Sequence, residues 1–413
     1  MKGNVIVGQS GGPTAAINSS LAGVYRTAKD RGAKKIYGML HGIQGLMDER
    51  YIDLSEHITN ELDAELLKRT PAAYLGSCRY KLPEIHENGE VYEKIFSILD
   101  KLEIEAFIYI GGNDSMDTIK KLSDYAIVTG HPTRFVGCPK TIDNDLALTD
   151  HTPGYGSAAK YIGTSVKEII RDGFCLEYPH GLVSIIEVMG RNAGWLTGAA
   201  ALAQGEDCTG PDLIYLPELP FDLQKFSERV KSLLSEKTSV VVAVSEGIKL
   251  DDGRYVCELG QSVDFVDAFG HKQLSGTAAY LASFIAGEIG CKTRAIEFST
   301  LQRSASHSAS RVDILEAYQV GGAAVKAADE GDSGKMVVIK RLSDDPYQSG
   351  TEVKDVHKIA NDEKLVPREW VNIEGTYVTD EFVNYVKPLI QGDVSPVMVD
   401  GIPRHLYKPK TQK

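Results

Sequence analysis

A lysine, a threonine and two aspartates fall within the six residues Lys140-Thr-Ile-Asp-Asn-Asp145. Side chains of these types can move a phosphoryl group: a carboxylate takes the proton of an acceptor hydroxyl, and an ammonium neutralises phosphate charge. Such transfer rests mostly on positioning and electrostatic stabilisation. A second run, Gly111-Gly-Asn-Asp-Ser115, follows the apolar stretch Ala106-Phe-Ile-Tyr-Ile110. It reads as a glycine turn at the carboxyl end of a buried strand, where backbone N–H groups and a following helix N-terminus hold phosphate. Each run also has a plainer reading, since Asn113 and Asp114 are helix-capping types and Asp143, Asn144 and Asp145 are turn-forming types.

Other residues could share the work. Gly8-Gln-Ser-Gly-Gly-Pro-Thr-Ala-Ala-Ile-Asn18 is a glycine-rich turn placing Gly11 and Gly12 between a strand and a helix. It matches neither G-x-G-x-x-G nor the P-loop pattern. Arg191, in Met189-Gly-Arg191, sits where a helix begins, and the macrodipole disfavours a cation there unless an anion is present. Glu246 ends an apolar strand, where it binds sugar hydroxyls or caps the next turn. Arg294 and Arg303 flank a strand-like stretch and suit a phosphate dianion, or form ordinary ion pairs. Arg79 and Lys81 follow another turn and are expected near the phosphoryl donor. His180, His271 and His307 show no metal-ligand spacing and read as structural or surface residues. The six cysteines form no C-x-x-C pair and are expected to be reduced and mostly buried.

These residues need a scaffold, and the pattern supplies one. Strand and helix alternate from Asn4 onward, with short β-rich runs ending in glycine turns, so the fold class is α/β with mainly parallel sheets. A chain of 413 residues is long for one core. Two Rossmann-like lobes are expected: residues 1–154 as a large donor lobe completed by part of 303–345, 155–302 as a smaller lobe, and 346–413 as a C-terminal extension. Asn192 to Gln204 reads as a small-residue helix and Thr376 to Thr379 as strand-like, and the basic tail Lys408 to Lys413 is expected to be mobile. The net charge of −12 argues against nucleic acid and anionic membrane as partners. No apolar run approaches the ~20 residues that cross a bilayer, so a cytoplasmic location is expected.

With these motifs, the chain resembles the phosphofructokinases. The Gly11-Gly12 turn, Leu75-Gly-Ser-Cys-Arg79, Gly111-Gly-Asn-Asp-Ser115, Thr141-Ile-Asp-Asn-Asp145, Met189-Gly-Arg191, Glu246-Gly247 and Gln302-Arg303 occur in family order, between about Val5 and Arg311. The resemblance implies the phosphofructokinase fold. It also implies that Asp143 is the general base toward the sugar 1-hydroxyl, with Asp145 supporting it and Thr141 holding the transferring group beside Lys140. Ile142, Met189, Gly190, Arg191, Glu246, Arg294, Thr300 and Arg303 would bind fructose 6-phosphate. Gly11, Gly12, Arg79, Asp114, Ser115 and Lys140 would bind the donor, and Asn113 and Asp114 would hold Mg2+.

Two positions bear on the donor. Nucleotide-using members resemble Gly-Gly-Asp-Gly-Ser and carry glycine before Thr-Ile-Asp-Asn-Asp, whereas this chain has Asp114 and Lys140, as pyrophosphate-dependent members do. Asp114 would repel a nucleotide α-phosphate, and Lys140 would supply a compact cation for pyrophosphate. The alternatives are ATP as donor, sedoheptulose 7-phosphate as acceptor, or a non-catalytic sugar-phosphate-binding subunit. Asn113 replaces the magnesium-linked aspartate of the family and Thr300 a histidine of bacterial ATP-dependent members. Leu182 stands where those members have an arginine reaching in from a neighbouring subunit, and Ala22 replaces an effector-site arginine although Arg26 remains. Little control by ADP or phosphoenolpyruvate is therefore expected. A homodimer or homotetramer is implied as well.

Overall fold

The computed structural model describes residues 1–260, 274–360 and 362–407; His271 and the Lys408 to Lys413 tail lie outside them. Two sheets organise the chain. The larger has seven strands: β1 (Asn4–Gln9), β2 (Ile36–Met39), β3 (Tyr51–Asp53), β4 (Ile104–Gly111), β5 (Arg134–Pro139) and, after the smaller sheet, the hairpin pair described below. The smaller holds β6 (Leu182–Val188), β7 (Leu213–Tyr215), β8 (Ser239–Ser245) and β9 (Lys292–Glu297). The chain then returns to the large sheet with β10 (Lys335–Asp344) and β11 (Tyr347–Asp355).

The order in the large sheet is β11-β10-β5-β4-β1-β2-β3, parallel except at its two outer pairs. β1 and β4 are neighbours although two strands separate them in sequence, so the winding reverses between them. At such a switch point the carboxyl ends of the strands diverge and leave a crevice. Gly11-Gly12 follows β1 there, and Gly111-Gly112 closes β4. The smaller sheet, β7-β8-β6-β9, is parallel throughout. Its turns Met189-Gly190-Arg191 and Glu246-Gly247 follow adjacent strands at the same edge.

The strands are legible because both faces of a parallel sheet are covered. Every residue of β1 and of β6 is buried. Helices Ile17–Asp30 and Arg311–Glu330 cover one face of the large sheet and Gly89–Lys101 and Asn113–Thr129 the other, giving two separate apolar layers. Ala22 is part of the first layer, 3% exposed, and Arg26 is paired to Glu61 at 2.6 Å and Asp30 at 3.2 Å. Between the lobes, Asp313 of the returning helix accepts the N–H groups of Gly154 at 2.8 Å and Ser157 at 3.0 Å. A carboxylate thus caps the N-terminus of the helix Tyr155–Phe174 at the crossover.

Residues from 346 onward build onto both lobes: β11 pairs antiparallel with β10 as an edge of the large sheet, and Val366, Val371, Val378, Phe382 and Leu389 join the apolar core of the smaller lobe. Two expectations for secondary structure need correction. The helix expected over Asn192 to Gln204 is shorter, one α-helical turn over Trp195–Gly198 followed by a 3-10 segment Ala199–Ala203. Thr376 to Thr379 contributes one isolated bridge, Val371 to Val378, rather than a strand. As expected, the cysteines are unpaired and mostly buried: Cys78, Cys138, Cys257 and Cys291 are buried, Cys208 is half-buried and Cys175 exposed. His180 and His307 are exposed, while Leu182 is buried at the start of β6.

Candidate active site

The two glycine turns of the large sheet are shaped by what touches them. Gly11 has φ +74, and a Cβ there would lie 3.3 Å from Lys140 Nζ; a Cβ on Gly12 would lie 3.2 Å from Arg303 Nη1. A Cβ on Gly111 would meet Ser115 Oγ at 1.9 Å, so this position requires glycine. The helix Asn113–Thr129 follows directly, with Gly112 as the flanking residue and no side-chain cap. The capping reading of Asn113 and Asp114 is therefore not the one adopted: both lie inside the first turn, Asp114 exposed and Ser115 buried. The amides of that turn and the helix dipole favour an anion.

Lys140 closes the space between the turns. Its backbone N–H donates to Gly111 O at 3.0 Å and its Nζ donates to Gly12 O at 2.6 Å. The side chain is only 2% exposed. Burial pushes its pKa down from 10.5 to about 8, against the pull of Asp143. At roughly 1.4 kcal/mol per pKa unit, this represents about 3 kcal/mol disfavouring the ammonium. An arriving polyanion would offset that cost. Arg79 and Arg303 add their positive fields at Lys140; Lys81 is exposed.

The next residues form a tight turn. Asn144 has φ +57, a left-handed conformation unusual for a side-chain-bearing residue. Asp143 N–H donates to Thr141 Oγ1 at 3.1 Å, and that hydroxyl donates to Asp143 Oδ2 at 3.4 Å. Burial holds the Asp143 carboxyl above the usual carboxylate range, opposed by Lys140, Thr141, Arg191 and Arg303. Asp145 is raised for the same first reason, and then by Asp143 and Glu363. Ile142 turns its side chain into the core of the smaller lobe.

The smaller lobe brings its edge opposite. Gly190 N–H donates to Glu246 Oε1 at 3.4 Å, Ser245 Oγ donates to Gly190 O at 2.6 Å, and Met189 N–H to Gln302 Oε1 at 3.3 Å. A Cβ on Gly247 would lie 1.9 Å from Arg191 O, so the Glu-Gly and Met-Gly-Arg turns touch backbone to backbone. Burial, aided by Asp143, pushes the Glu246 carboxyl up to about 8. Asp143, Lys140, Arg191, Glu246 and Arg303 therefore feel one another's charge across the crevice. Thr300 is exposed at the start of the turn leading to Arg303.

Arg294 does not join them. It lies in the middle of β9, opposite Ser184 and three residues before the strand's end, and pairs with Asp172 at 2.7 Å. Conversely, sequence reasoning missed Glu363 and Lys364. Lys364 N–H donates to Asp145 O at 2.8 Å, and Asn192 Nδ2 donates to Glu363 Oε1 at 3.0 Å. Asn113 Nδ2 donates to Asp362 O at 3.0 Å. It also missed His151, 1% exposed between Asp150 and Glu316. No helix among the described residues is long and apolar enough to cross a membrane.

Comparison with known proteins gives concordant matches. A family model described as Phosphofructokinase matches residues 4–328. A pyrophosphate–fructose 6-phosphate 1-phosphotransferase from Xanthomonas campestris pv. campestris is 40% identical over 407 residues, covering 98% of this chain and 96% of that protein. One of the same name from Halomonas elongata is 39% identical over 403 residues, covering 97% and 95%. The crystal structure of a pyrophosphate-dependent phosphofructokinase from Nitrosospira multiformis superposes with a TM-score of 0.88 at 36% identity, over 99% of this chain and 98% of that one.

Proposed function

The chain belongs to the phosphofructokinase family, and from that premise we propose that it transfers a phosphoryl group from pyrophosphate to the 1-hydroxyl of fructose 6-phosphate. The products are fructose 1,6-bisphosphate and phosphate, and the reaction runs in both directions, serving glycolysis or gluconeogenesis. The observation that carries the choice of donor is Lys140, buried between the two glycine turns with its ammonium on Gly12 O. A compact cation at that point suits a small polyanion and takes up room next to the turn that a larger donor would use.

In this reading the phosphates lie on the Gly11-Gly12 turn and the amides around Asn113 to Ser115, with Arg79 and Lys140 as counter-charges. The sugar lies against Met189, Gly190, Glu246 and Thr300, its phosphate on Arg191 and Arg303. Asp143 takes the 1-hydroxyl proton as the oxygen attacks phosphorus. Thr141 and Lys140 meet the charge that spreads over the transferring group, and Asp145 keeps the field negative beneath the base. Glu246, driven toward its protonated form, can both donate to and accept from sugar hydroxyls. The carboxylate of Asp114 and the amide oxygen of Asn113 would suit Mg2+, which takes one or two protein ligands and completes its shell with water and substrate phosphate. When bound, the ion would neutralise donor charge.

The division of labour follows the lobes, with the donor on the large sheet and the sugar on the smaller one. We also propose a homodimer or homotetramer in the cytoplasm, in which the exposed edge strand β9 with Arg294 meets a second copy. The test of the reaction is direct: fructose 6-phosphate, pyrophosphate and Mg2+ are incubated with the protein, and fructose 1,6-bisphosphate is followed by cleavage with aldolase. Product formation is expected; its absence would contradict the assignment.

A further inference from the structure

We propose that Lys364, from the C-terminal extension, is a positioning residue for the catalytic turn, and that the five residues around it act as a strap across the crevice. The inference rests on the phosphotransferase reading above and extends it to a part of the chain that the family model, ending at 328, does not reach.

Asn144 is the centre of this arrangement. It sits between the two aspartates with φ +57, a left-handed conformation that Asn adopts more readily than other side-chain-bearing residues. Its side chain is held from three sides. Oδ1 accepts from Thr152 N–H at 3.1 Å and from Lys364 Nζ at 3.3 Å, and Nδ2 donates to Tyr385 OH at 3.0 Å. Two of these three partners come from the extension. The Lys364 ammonium also donates to Asp150 O at 2.6 Å and Thr149 O at 3.3 Å, so one cation ties both ends of the loop that follows Asp145. Its Nζ lies over the Trp195 ring, 5.1 Å from the centroid.

The backbone of the same segment is fixed independently. Lys364 N–H donates to Asp145 O at 2.8 Å, and Trp195 Nε1 donates to Lys364 O at 2.8 Å. Glu218 accepts both Val366 N–H at 3.0 Å and Gly194 N–H at 2.8 Å. One short stretch therefore joins the catalytic turn to the turn after Met189-Gly-Arg191, while Asp362 O receives Asn113 from the donor turn. The strap touches all three catalytic segments. The ammonium of Lys364 bonds to Asn144, Thr149 and Asp150 and its backbone to Asp145, so it acts on the orientation of Asp143 and Asp145 rather than on ground-state binding.

The test is Lys364→Met, which keeps an unbranched apolar side chain and removes the ammonium, beside Lys364→Arg, with kcat and the KM for fructose 6-phosphate measured against wild type. Misplacing reacting groups by about 1 Å costs on the order of a hundredfold. The expected result is a kcat lower by roughly ten- to a hundredfold in Lys364→Met with KM changed less than about threefold, and partial recovery in Lys364→Arg. A merely structural role would lower the melting temperature without this split. Should Lys364→Met not fold, Tyr385→Phe, which removes the other extension contact on Asn144, is read by the same criterion. A folded variant with kcat unchanged, or with KM rising as much as kcat falls, overturns the proposal. Wild type that does not turn over at all would instead overturn the underlying reading.

Discussion

At Asp143 burial and charge oppose each other. The crevice raises its pKa, while Lys140 and the arginines favour the ionised form that a general base requires. Replacing Asp143 with Ser should lower kcat by several orders of magnitude with little change in the sugar KM, because a base acts on the transition state; steady-state kinetics checks this, and an unchanged kcat would reject the role. The same opposition sets the pH dependence. The aspartate cluster must be ionised and its pKa values lie above the ordinary range, so activity rises with pH on an acid limb shifted toward neutrality. Lys140 must be charged and its pKa is lowered to about 8, so activity falls above that point. A bell-shaped kcat/KM profile is expected, its acid limb belonging to the coupled aspartates together. A flat profile from pH 5 to 9 would contradict it. These residues were legible in sequence because several chemistry-bearing types cluster in two short runs. Lys364 was not, since 220 residues separate it from Asn144 and nothing around it distinguishes it from a surface lysine.

At the scale of elements, buried parallel strands announce themselves as continuous apolar runs, and β8 was read to its exact ends, Ser239–Ser245. The hairpin β10–β11 was not, because its outer half is polar on both faces and its pairing depends on the neighbouring β5. That hairpin encloses a buried network. His151 lies between Asp150 at 2.8 Å and Glu316 at 2.6 Å; Arg341 of β10 reaches Asp150, and Tyr347 and Ser349 of β11 reach Glu316. Burial alone would lower the His151 pKa, but the two carboxylates raise it from 6.5 to about 9. A histidine whose folded pKa is raised contributes stability that is complete below about 6.5 and is lost as pH rises through about 9. His151→Gln should therefore be less stable than wild type near neutrality, by about 3 kcal/mol, because Glu316 keeps its hydrogen bonds from Tyr347 and Ser349 but loses its counter-charge. The gap should narrow toward pH 9–10. Thermal unfolding of both proteins across that range checks this, and a gap independent of pH would contradict it.

For the whole molecule, two parallel sheets facing each other across a crevice followed from length and alternation, but the course of the last 70 or so residues did not. Their contacts are long-range: Tyr385 OH accepts from Asn144 and donates to Asp150 O, Leu389 O accepts from Ser310, and the strap at Lys364 crosses from one lobe to the other. Local sequence carries no trace of such pairings. The result is a crevice with Gly12, Lys140, Arg79 and Asp114 on the side of the large sheet, the proposed donor side, and Arg191 and Glu246 on the side of the smaller one. The central claim is that this donor side is built for pyrophosphate. The most direct measurement is the rate of fructose 6-phosphate phosphorylation with Mg2+ and either pyrophosphate or ATP at equal concentration. Turnover with pyrophosphate and at most a trace with ATP is the result expected from Asp114 and Lys140; turnover with ATP and none with pyrophosphate would contradict it.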